Sequence, residues 1–158
     1  MDFELSNEHK AIRDLVRDFV QKKVKPVVRE YEEAERFPEE LVRKLGELGF
    51  MGIFVPEKYG GIGFDTLTYT ICEEEIARVW AALGLIMAAN NSLACYPILE
   101  FGNEEQKQKY LIPLAKGEKL GCLALTEPAA GSDLTSIKTS AVRLKSKQSH
   151  WRISGTKS

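Results

Sequence analysis

The residues best suited to binding chemistry lie together in the stretch 123–133, which reads Leu-Ala-Leu-Thr-Glu-Pro-Ala-Ala-Gly-Ser-Asp. Its apolar alternation predicts a buried strand that ends at Pro128 and opens into a loop of small residues. Such a loop lets backbone N–H groups approach a large flat or phosphorylated ligand, and the Ser132 hydroxyl can bind a phosphate oxygen. We therefore predict a binding loop. The alternative is an ordinary strand and turn in which Asp133 serves as a cap.

Glu127 lies within this stretch and is a candidate catalytic carboxylate. A general base must reach the reacting atom of its substrate, whereas Glu127 sits beside the conformationally fixed Pro128. We therefore predict a structural role, in which the carboxylate anchors the loop through hydrogen bonds. The sequence assigns no catalytic residue.

The cysteines and histidines give little support to metal or triad chemistry. Cys72, Cys95 and Cys122 lie far apart without a CxxC spacing, and His9 and His150 are the only histidines. We expect no metal site and no disulfide, and we expect buried free thiols in a reducing compartment. No secretory signal is visible at the start of the sequence, so we predict a cytoplasmic location.

The composition is that of an ordinary globular protein, with 158 residues, 44% hydrophobic and 28% charged residues, and a net charge of −1. This length suits one domain, or one domain and the beginning of a second. The charge balance gives no electrostatic reason to expect nucleic acid or an anionic membrane as a partner. The longest apolar run, 80–89, is interrupted by Gly84 and followed by two asparagines, so we expect no membrane span.

Helical periodicity dominates the first two-thirds of the sequence. Ser6 is a candidate N-cap for a first helix, and Pro26 interrupts it. A second helix has Pro38 in its first turn and Gly49 as its C-terminal cap. The apolar faces comprise Ile12, Leu15, Val16, Phe19 and Val20 in the first helix, and Leu41, Val42, Leu45 and Leu48 in the second.

The middle of the sequence alternates loops and helices. The Pro- and Gly-rich stretch 55–63 predicts a tight connection that packs Tyr59 and Phe64 against helices. Helical pattern resumes near residue 67 and includes the glutamates 73–75, which are most simply a solvated helix turn. Small residues in 81–94 predict a closely packed helix, and further helices follow at 96–101 and 104–116.

From residue 120 the period changes from helical to that of strands. Alternation recurs at 123–125, 140–144 and 151–153. We therefore predict a mainly α chain, with an all-α domain at 1–119 and the beginning of a β domain at 120–158. The last strand has nothing left to pair with, so we expect a fragment or a truncated product.

Several motifs in order resemble the N-terminal half of a flavin-dependent acyl-CoA dehydrogenase. They are Pro-Glu-Lys-Tyr-Gly-Gly at 56–61, Asn-Ser-Leu at 91–93, Phe-Gly-Asn-Glu-Glu-Gln-Lys at 101–107, Leu-Thr-Glu-Pro at 125–128 with Gly-Ser-Asp at 131–133, and Ile-Ser-Gly-Thr-Lys at 153–157. The resemblance covers essentially the whole chain. It implies a helical N-terminal domain, a middle β domain and a C-terminal helical bundle, of which the last is absent here.

The resemblance also implies a cofactor and site residues. Family members bind FAD, and the matching positions here are Leu123, Leu125, Thr126, Gly131 and Ser132. Ser132 is also close to bound CoA in the family. The region 85–97 lines the floor of the acyl pocket, which makes Ala89, Leu93 and Tyr96 candidate substrate contacts, together with Met87 and Ala88. Core packing is an equal alternative for most of these residues.

The family reaction removes two hydrogens from an acyl-CoA to give the 2-enoyl thioester, and the resemblance implies the same here. The catalytic base of the family is a glutamate of the C-terminal domain, so we expect this chain alone to be inactive. An electron-transfer flavoprotein as electron acceptor and a homo-oligomeric full-length protein are also implied. The alternatives are a non-catalytic helical interaction module, and another flavoenzyme of the same fold, such as an acyl-CoA oxidase or a flavin monooxygenase.

Overall fold

Helices make up most of the computed structural model, which describes residues 4–144 and 150–158. The mainly α fold predicted from the sequence is confirmed. The chain divides into two compact units, Met1–Cys122 and Leu123–Ser158. The assignment of domains at 1–119 and 120–158 stays a prediction.

The first helix, α1 (Asn7–Phe19), begins where Ser6 accepts a hydrogen bond from the His9 N–H, as predicted. A π-helical turn, Val20–Val24, continues it. Val16, Val20 and Val24 are fully buried and anchor this helix in the core. Leu15 is 56% exposed, so the buried face is narrower than the sequence pattern indicates.

The next helices are α2 (Val28–Glu33), α3 (Glu39–Glu47) and α4 (Thr66–Ala77). Pro38 directly precedes α3, and Gly49 follows it with a φ of 79°, the left-handed conformation expected of a C-terminal glycine. Between α3 and α4, short 3₁₀ turns span Phe50–Gly52 and Glu57–Tyr59. Tyr59 is buried there as predicted, but Phe64 keeps 36% of its surface exposed.

The glutamates of α4 do not form a solvated turn, so that expectation was wrong. Glu75 is buried, and its carboxylate accepts hydrogen bonds from Arg17 at 2.6 and 3.0 Å, which ties α4 to α1. The Arg17 guanidinium lowers the pKa of Glu75. Glu73 is half-buried against α5, and only Glu74 is exposed.

A long helical run follows, made of α5 (Ala81–Ala88), the π-helical segment Ala89–Cys95 and α6 (Tyr96–Phe101). This run of 21 residues, with a mean hydropathy of 1.4, is long and apolar enough to cross a membrane. The sequence expectation of no membrane span rested on the apolar run 80–89, whereas the helical run in the structure continues to Phe101. Asn90 and Asn91 hydrogen-bond to backbone groups of the same unit, as in a core helix.

The helical unit ends with α7 (Glu104–Gln106), a π-helical turn Lys107–Leu111 and α8 (Ile112–Ala115). Asn103 and Gln106 form a reciprocal capping box at the start of α7. Two clusters of buried apolar side chains hold the unit together, one between α1, α3, α4 and α5, the other around the end of the long helical run and α8.

The second unit contains the antiparallel strands β1 (Ser140–Arg143) and β2 (Trp151–Ser154), in the register Ser140 opposite Ser154. A 3₁₀ turn, Leu134–Ser136, precedes them. The predicted buried strand at 123–125 was wrong: Leu123 is 51% exposed, and within the described residues this stretch pairs with no strand. Without a neighbouring strand, an extended backbone is left unpaired.

Candidate functional site

The predicted flavin segment, residues 123–126, has no regular secondary structure and is exposed. In the described part of the chain, its N–H groups make no hydrogen bond. On the carbonyl side, Leu125 O accepts from Lys157 Nζ at 2.8 Å and Thr126 O accepts from the Ser158 N–H at 3.0 Å. Two carbonyl groups therefore hold the segment in place. Its backbone N–H groups, unpaired among the described residues, can donate to an external acceptor.

Glu127 holds the loop that follows, and its predicted anchoring role is confirmed. Its buried carboxylate accepts from Thr139 Oγ1 at 2.5 Å, from the N–H groups of Lys138 and Thr139 at 2.8 and 2.9 Å, and from Lys157 Nζ at 3.1 Å. The bond from Thr139, followed by the backbone bonds, lowers the pKa of Glu127 to about 2. A carboxylate so satisfied is a weak base and is unsuited to proton abstraction.

The small-residue loop is open to solvent. A Cβ atom on Gly131 would meet nothing within 4 Å, and Ser132 is exposed. Asp133 is a cap, as in the alternative interpretation, because its carboxylate accepts from the Thr135 N–H at 3.0 Å and from the Ser136 hydroxyl at 3.0 Å. The hydrogen bond from the Thr135 hydroxyl is the largest of the interactions that lower the pKa of Asp133. Capping and ligand binding are compatible, since the Ser132 hydroxyl has no hydrogen-bond partner among the described residues.

The predicted substrate contacts belong to the long helical run of the first unit. Ala89 is half-buried, Leu93 is 44% exposed and Tyr96 is 49% exposed. Phe54 packs edge-to-face on Tyr96, with ring centroids 5.8 Å apart. Met87 is fully buried in the core, so it cannot contact a ligand.

Other buried polar groups of the first unit are not predicted from the sequence. Glu73 has a buried Oε2 without a hydrogen-bond partner among the described residues, and burial raises its pKa to about 7. Asn90 and Asn91 are fully buried and form hydrogen bonds across the unit. A signal existed for the asparagines, since adjacent amides inside an apolar helix need buried partners. No such sequence signal distinguishes Glu73, because the next two residues in the sequence are glutamates as well.

The cysteines are free in this structure. Cys72 and Cys95 are buried as expected, and burial raises the pKa of each thiol to about 12. Cys122 is exposed, so the expectation of a buried thiol was wrong there. Within residues 4–144 and 150–158, no group of three or more His, Cys, Asp or Glu side chains is arranged to hold a metal ion.

Comparison with known proteins identifies the protein family to which this helical fold belongs. Residues 6–118 match the family model described as "Acyl-CoA dehydrogenase, N-terminal domain". The chain therefore belongs to the acyl-CoA dehydrogenase family, and the resemblance read from the sequence is confirmed.

Individual relatives agree with this assignment. The chain is 48% identical over 157 residues to the short-chain specific acyl-CoA dehydrogenase of Clostridium acetobutylicum, covering 99% of this chain and 41% of that protein. It is similar to a chain in the structure of the electron transferring flavoprotein of Acidaminococcus fermentans, with a TM-score of 0.93, 42% identity, and coverage of 99% of this chain and 40% of that chain.

A third similarity is to an acyl-CoA dehydrogenase from Bacillus anthracis solved in complex with FAD, with a TM-score of 0.88 and 42% identity. It covers 96% of this chain and 26% of that chain. The chain thus spans about two-fifths or less of the length of these relatives.

Proposed function

We propose that this chain takes part in FAD-dependent dehydrogenation of an acyl-CoA thioester to the 2-enoyl-CoA. Family membership supports the reaction class. The observation that carries the cofactor proposal is the exposed segment 123–126, whose N–H groups are unpaired among the described residues. The backbone N–H and C=O groups of such a segment can pair with the acceptors and donors along the rim of a flavin ring.

In this proposal each predicted cofactor residue has a separate task. The backbones of Leu123 and Leu125 and the hydroxyl of Thr126 bind the polar edge of the flavin. Gly131 and Ser132 bind its pyrophosphate, because the loop is open there and the Ser132 hydroxyl is exposed. When bound, FAD supplies the electron acceptor of the reaction, and the protein supplies binding and orientation.

The substrate proposal assigns separate tasks to residues of each unit. Ser132 binds the CoA moiety, and Ala89, Leu93 and Tyr96 provide an apolar surface for the acyl chain. Partial exposure of Leu93 and Tyr96 supports this role, since residues committed to the core are fully buried.

We further propose that this chain alone is inactive. Glu127 is held as a carboxylate with a pKa of about 2 and is unsuited to be the base. The family resemblance implies that the base is a glutamate of the C-terminal domain. Cytoplasmic location, assembly into homo-oligomers and electron transfer to an electron-transfer flavoprotein are parts of the same proposal. The last is supported by the similarity to a chain in an electron transferring flavoprotein structure.

A second candidate function is a non-catalytic helical interaction module. It is favoured by apolar side chains exposed along the long helical run, with Leu85 at 68% and Phe101 at 86% exposure. A helical module of this kind would bind a protein partner but would not retain flavin.

The decisive experiment is a visible absorption spectrum of the chain after incubation with FAD and removal of free flavin. We expect the wild-type chain to retain a structured flavin band. Thr126→Val, which removes a hydroxyl at constant shape, should lower the affinity for FAD about tenfold. Thr156→Val is the matched control because Thr156 is an exposed threonine outside the predicted site. A colourless protein, even when a C-terminal half of a relative is supplied, would contradict the cofactor proposal.

The same preparations test activity. Dye reduction with butyryl-CoA, octanoyl-CoA or other acyl-CoA thioesters is expected to stay at the background rate for the chain alone. Measurable dehydrogenation would overturn the prediction that the chain lacks the base.

A further inference from the structure

Two adjacent asparagines, Asn90 and Asn91, lie in the π-helical segment Ala89–Cys95, and both are fully buried. A wider helical turn lets neighbouring side chains point into the interior together. Each amide is satisfied by backbone groups of other segments, which is the condition under which a buried amide is tolerated.

The two amides differ in what they hold. Asn91 donates to Phe50 O at 2.8 Å and Met87 O at 3.0 Å, and it accepts from the Ile53 N–H at 3.1 Å. All of these groups precede Asn91 in the chain and lie in the helical core, so the bonds of Asn91 stabilise the core alone.

Asn90 reaches the end of the helical unit. Its Nδ2 donates to Met51 O at 2.8 Å and to Leu114 O at 3.2 Å, while its Oδ1 accepts from the Gly121 N–H at 3.0 Å. Gly121 comes two residues before the predicted flavin segment begins at Leu123.

Close packing also restrains the backbone at Gly121. A Cβ atom on Gly121 would lie 2.2 Å from the Cβ of Ala94, so the backbone rests directly against the helix one turn beyond Asn90. After Gly121, residues 122–126 donate no backbone hydrogen bond within the described residues. The bond from Gly121 to Asn90 is therefore the last backbone restraint before that segment.

We propose that Asn90 is a positioning residue for flavin binding, because it fixes the backbone at Gly121 and so limits the freedom of residues 122–126. The flavin part of this inference rests on the proposed function. The restraint itself is a property of this chain and is measurable without a cofactor. A segment restrained before binding loses less conformational entropy when a ligand binds.

The first test uses amide hydrogen exchange of the wild-type chain followed by NMR. The Gly121 amide should exchange at a rate close to that of the helical core, at least about a hundredfold slower than the Cys122 and Leu123 amides. Exchange of Gly121 at the rate of an unprotected peptide would overturn the proposal, even if no variant folds.

The second test compares Asn90→Ala with Asn91→Ala at a temperature where circular dichroism shows each to be folded. Asn90→Ala should lower the heteronuclear ¹⁵N NOE of residues 121–126, whereas Asn91→Ala, which loses a similar set of core bonds, should leave it unchanged. An unchanged NOE in Asn90→Ala, or an equal fall in both variants, would overturn the proposal.

Flavin affinity provides a separate readout. If the wild-type chain retains FAD, Asn90→Ala should weaken binding about tenfold and Asn91→Ala less than about threefold. Equal weakening in both variants would count against positioning by Asn90. A wild-type chain that binds no FAD, even when a C-terminal half of a relative is supplied, would contradict the cofactor proposal, and the NMR measurements would still decide the role of Asn90.

Discussion

The carboxyl group of Glu73 lies between α4 and α5 in an environment that disfavours charge. Its Oε1 is 2.8 Å from the point where a Cβ on Gly84 would lie, and Ala77 packs on the same side. Its Oε2 is buried without a hydrogen-bond partner in the described residues. Burial accordingly raises the pKa of Glu73 from 4.5 to about 7.

This shift makes stability depend on pH. Between pH 4.5 and about 7 the folded chain keeps a proton on Glu73 that the unfolded chain releases. The free energy of unfolding therefore falls as pH rises through this window and levels off above it. We expect Glu73→Gln to be more stable than the wild type at high pH by about 1–2 kcal/mol, because partial exposure screens the charge.

Urea unfolding of both proteins across this pH range measures the effect, and the difference should vanish at about pH 4. Glu74→Gln is the matched control, since Glu74 is exposed on the same helix. A stability difference between wild type and Glu73→Gln that does not change with pH would contradict the assignment.

At the scale of elements, the connection between α3 and α4 depends on the close approach of backbone segments. A Cβ atom on Gly61 would lie 2.0 Å from Val55 O and 2.5 Å from Gly52 O. These are backbone atoms and cannot rotate away. Gly63 differs, because its φ of 67° is left-handed but nothing lies within 4 Å of its Cβ position.

The two glycines give a matched pair of substitutions. Gly61→Ala should lower the free energy of unfolding by about 2–4 kcal/mol, because segments packed through backbone atoms must separate. Gly63→Ala should cost only about 1 kcal/mol, the strain of a left-handed residue with a side chain. Thermal and urea unfolding measure both values. Equal costs for the two would contradict the assignment of a close backbone contact to Gly61.

At the scale of the whole molecule, the two compact units differ greatly in their interior. The first buries two apolar clusters, whereas the second buries only Ala130 and Glu127 among its described residues. Trp80 of the first unit is 7% exposed and donates a hydrogen bond to Glu32, while Trp151 of the second is 60% exposed. A unit with so little buried apolar surface has little stability of its own.

We therefore expect two unfolding transitions in urea when tryptophan fluorescence is followed. The wild-type signal should show an early step from Trp151 and a later step from Trp80. Trp151→Phe should remove the early step and keep the later one, and far-ultraviolet circular dichroism should follow the later step alone. A single transition, coincident for both probes, would mean that the units unfold together.

Much of the helical unit was predictable because its signals are local. Ser6 caps α1 through a bond to a residue three positions away, and Gly49 ends α3 through its own backbone freedom. The anchoring role of Glu127 was also predictable, since a proline beside it restricts its reach. The strand at 123–125 was wrong because a strand requires a partner that alternation alone cannot supply.

The sequence alone determined the mainly α fold, the helix ends marked by Ser6 and Gly49, and the family, because caps, periodicity and ordered motifs are written in neighbouring residues. Only the tertiary structure decided the raised pKa of Glu73, the partner of Glu75 and the hydrogen-bond partners of Asn90. These depend on which distant groups come within about 3 Å of a side chain and how much water is excluded there. Arg17 and Gly121 are such groups, and nothing near Glu75 or Asn90 in the sequence identifies them.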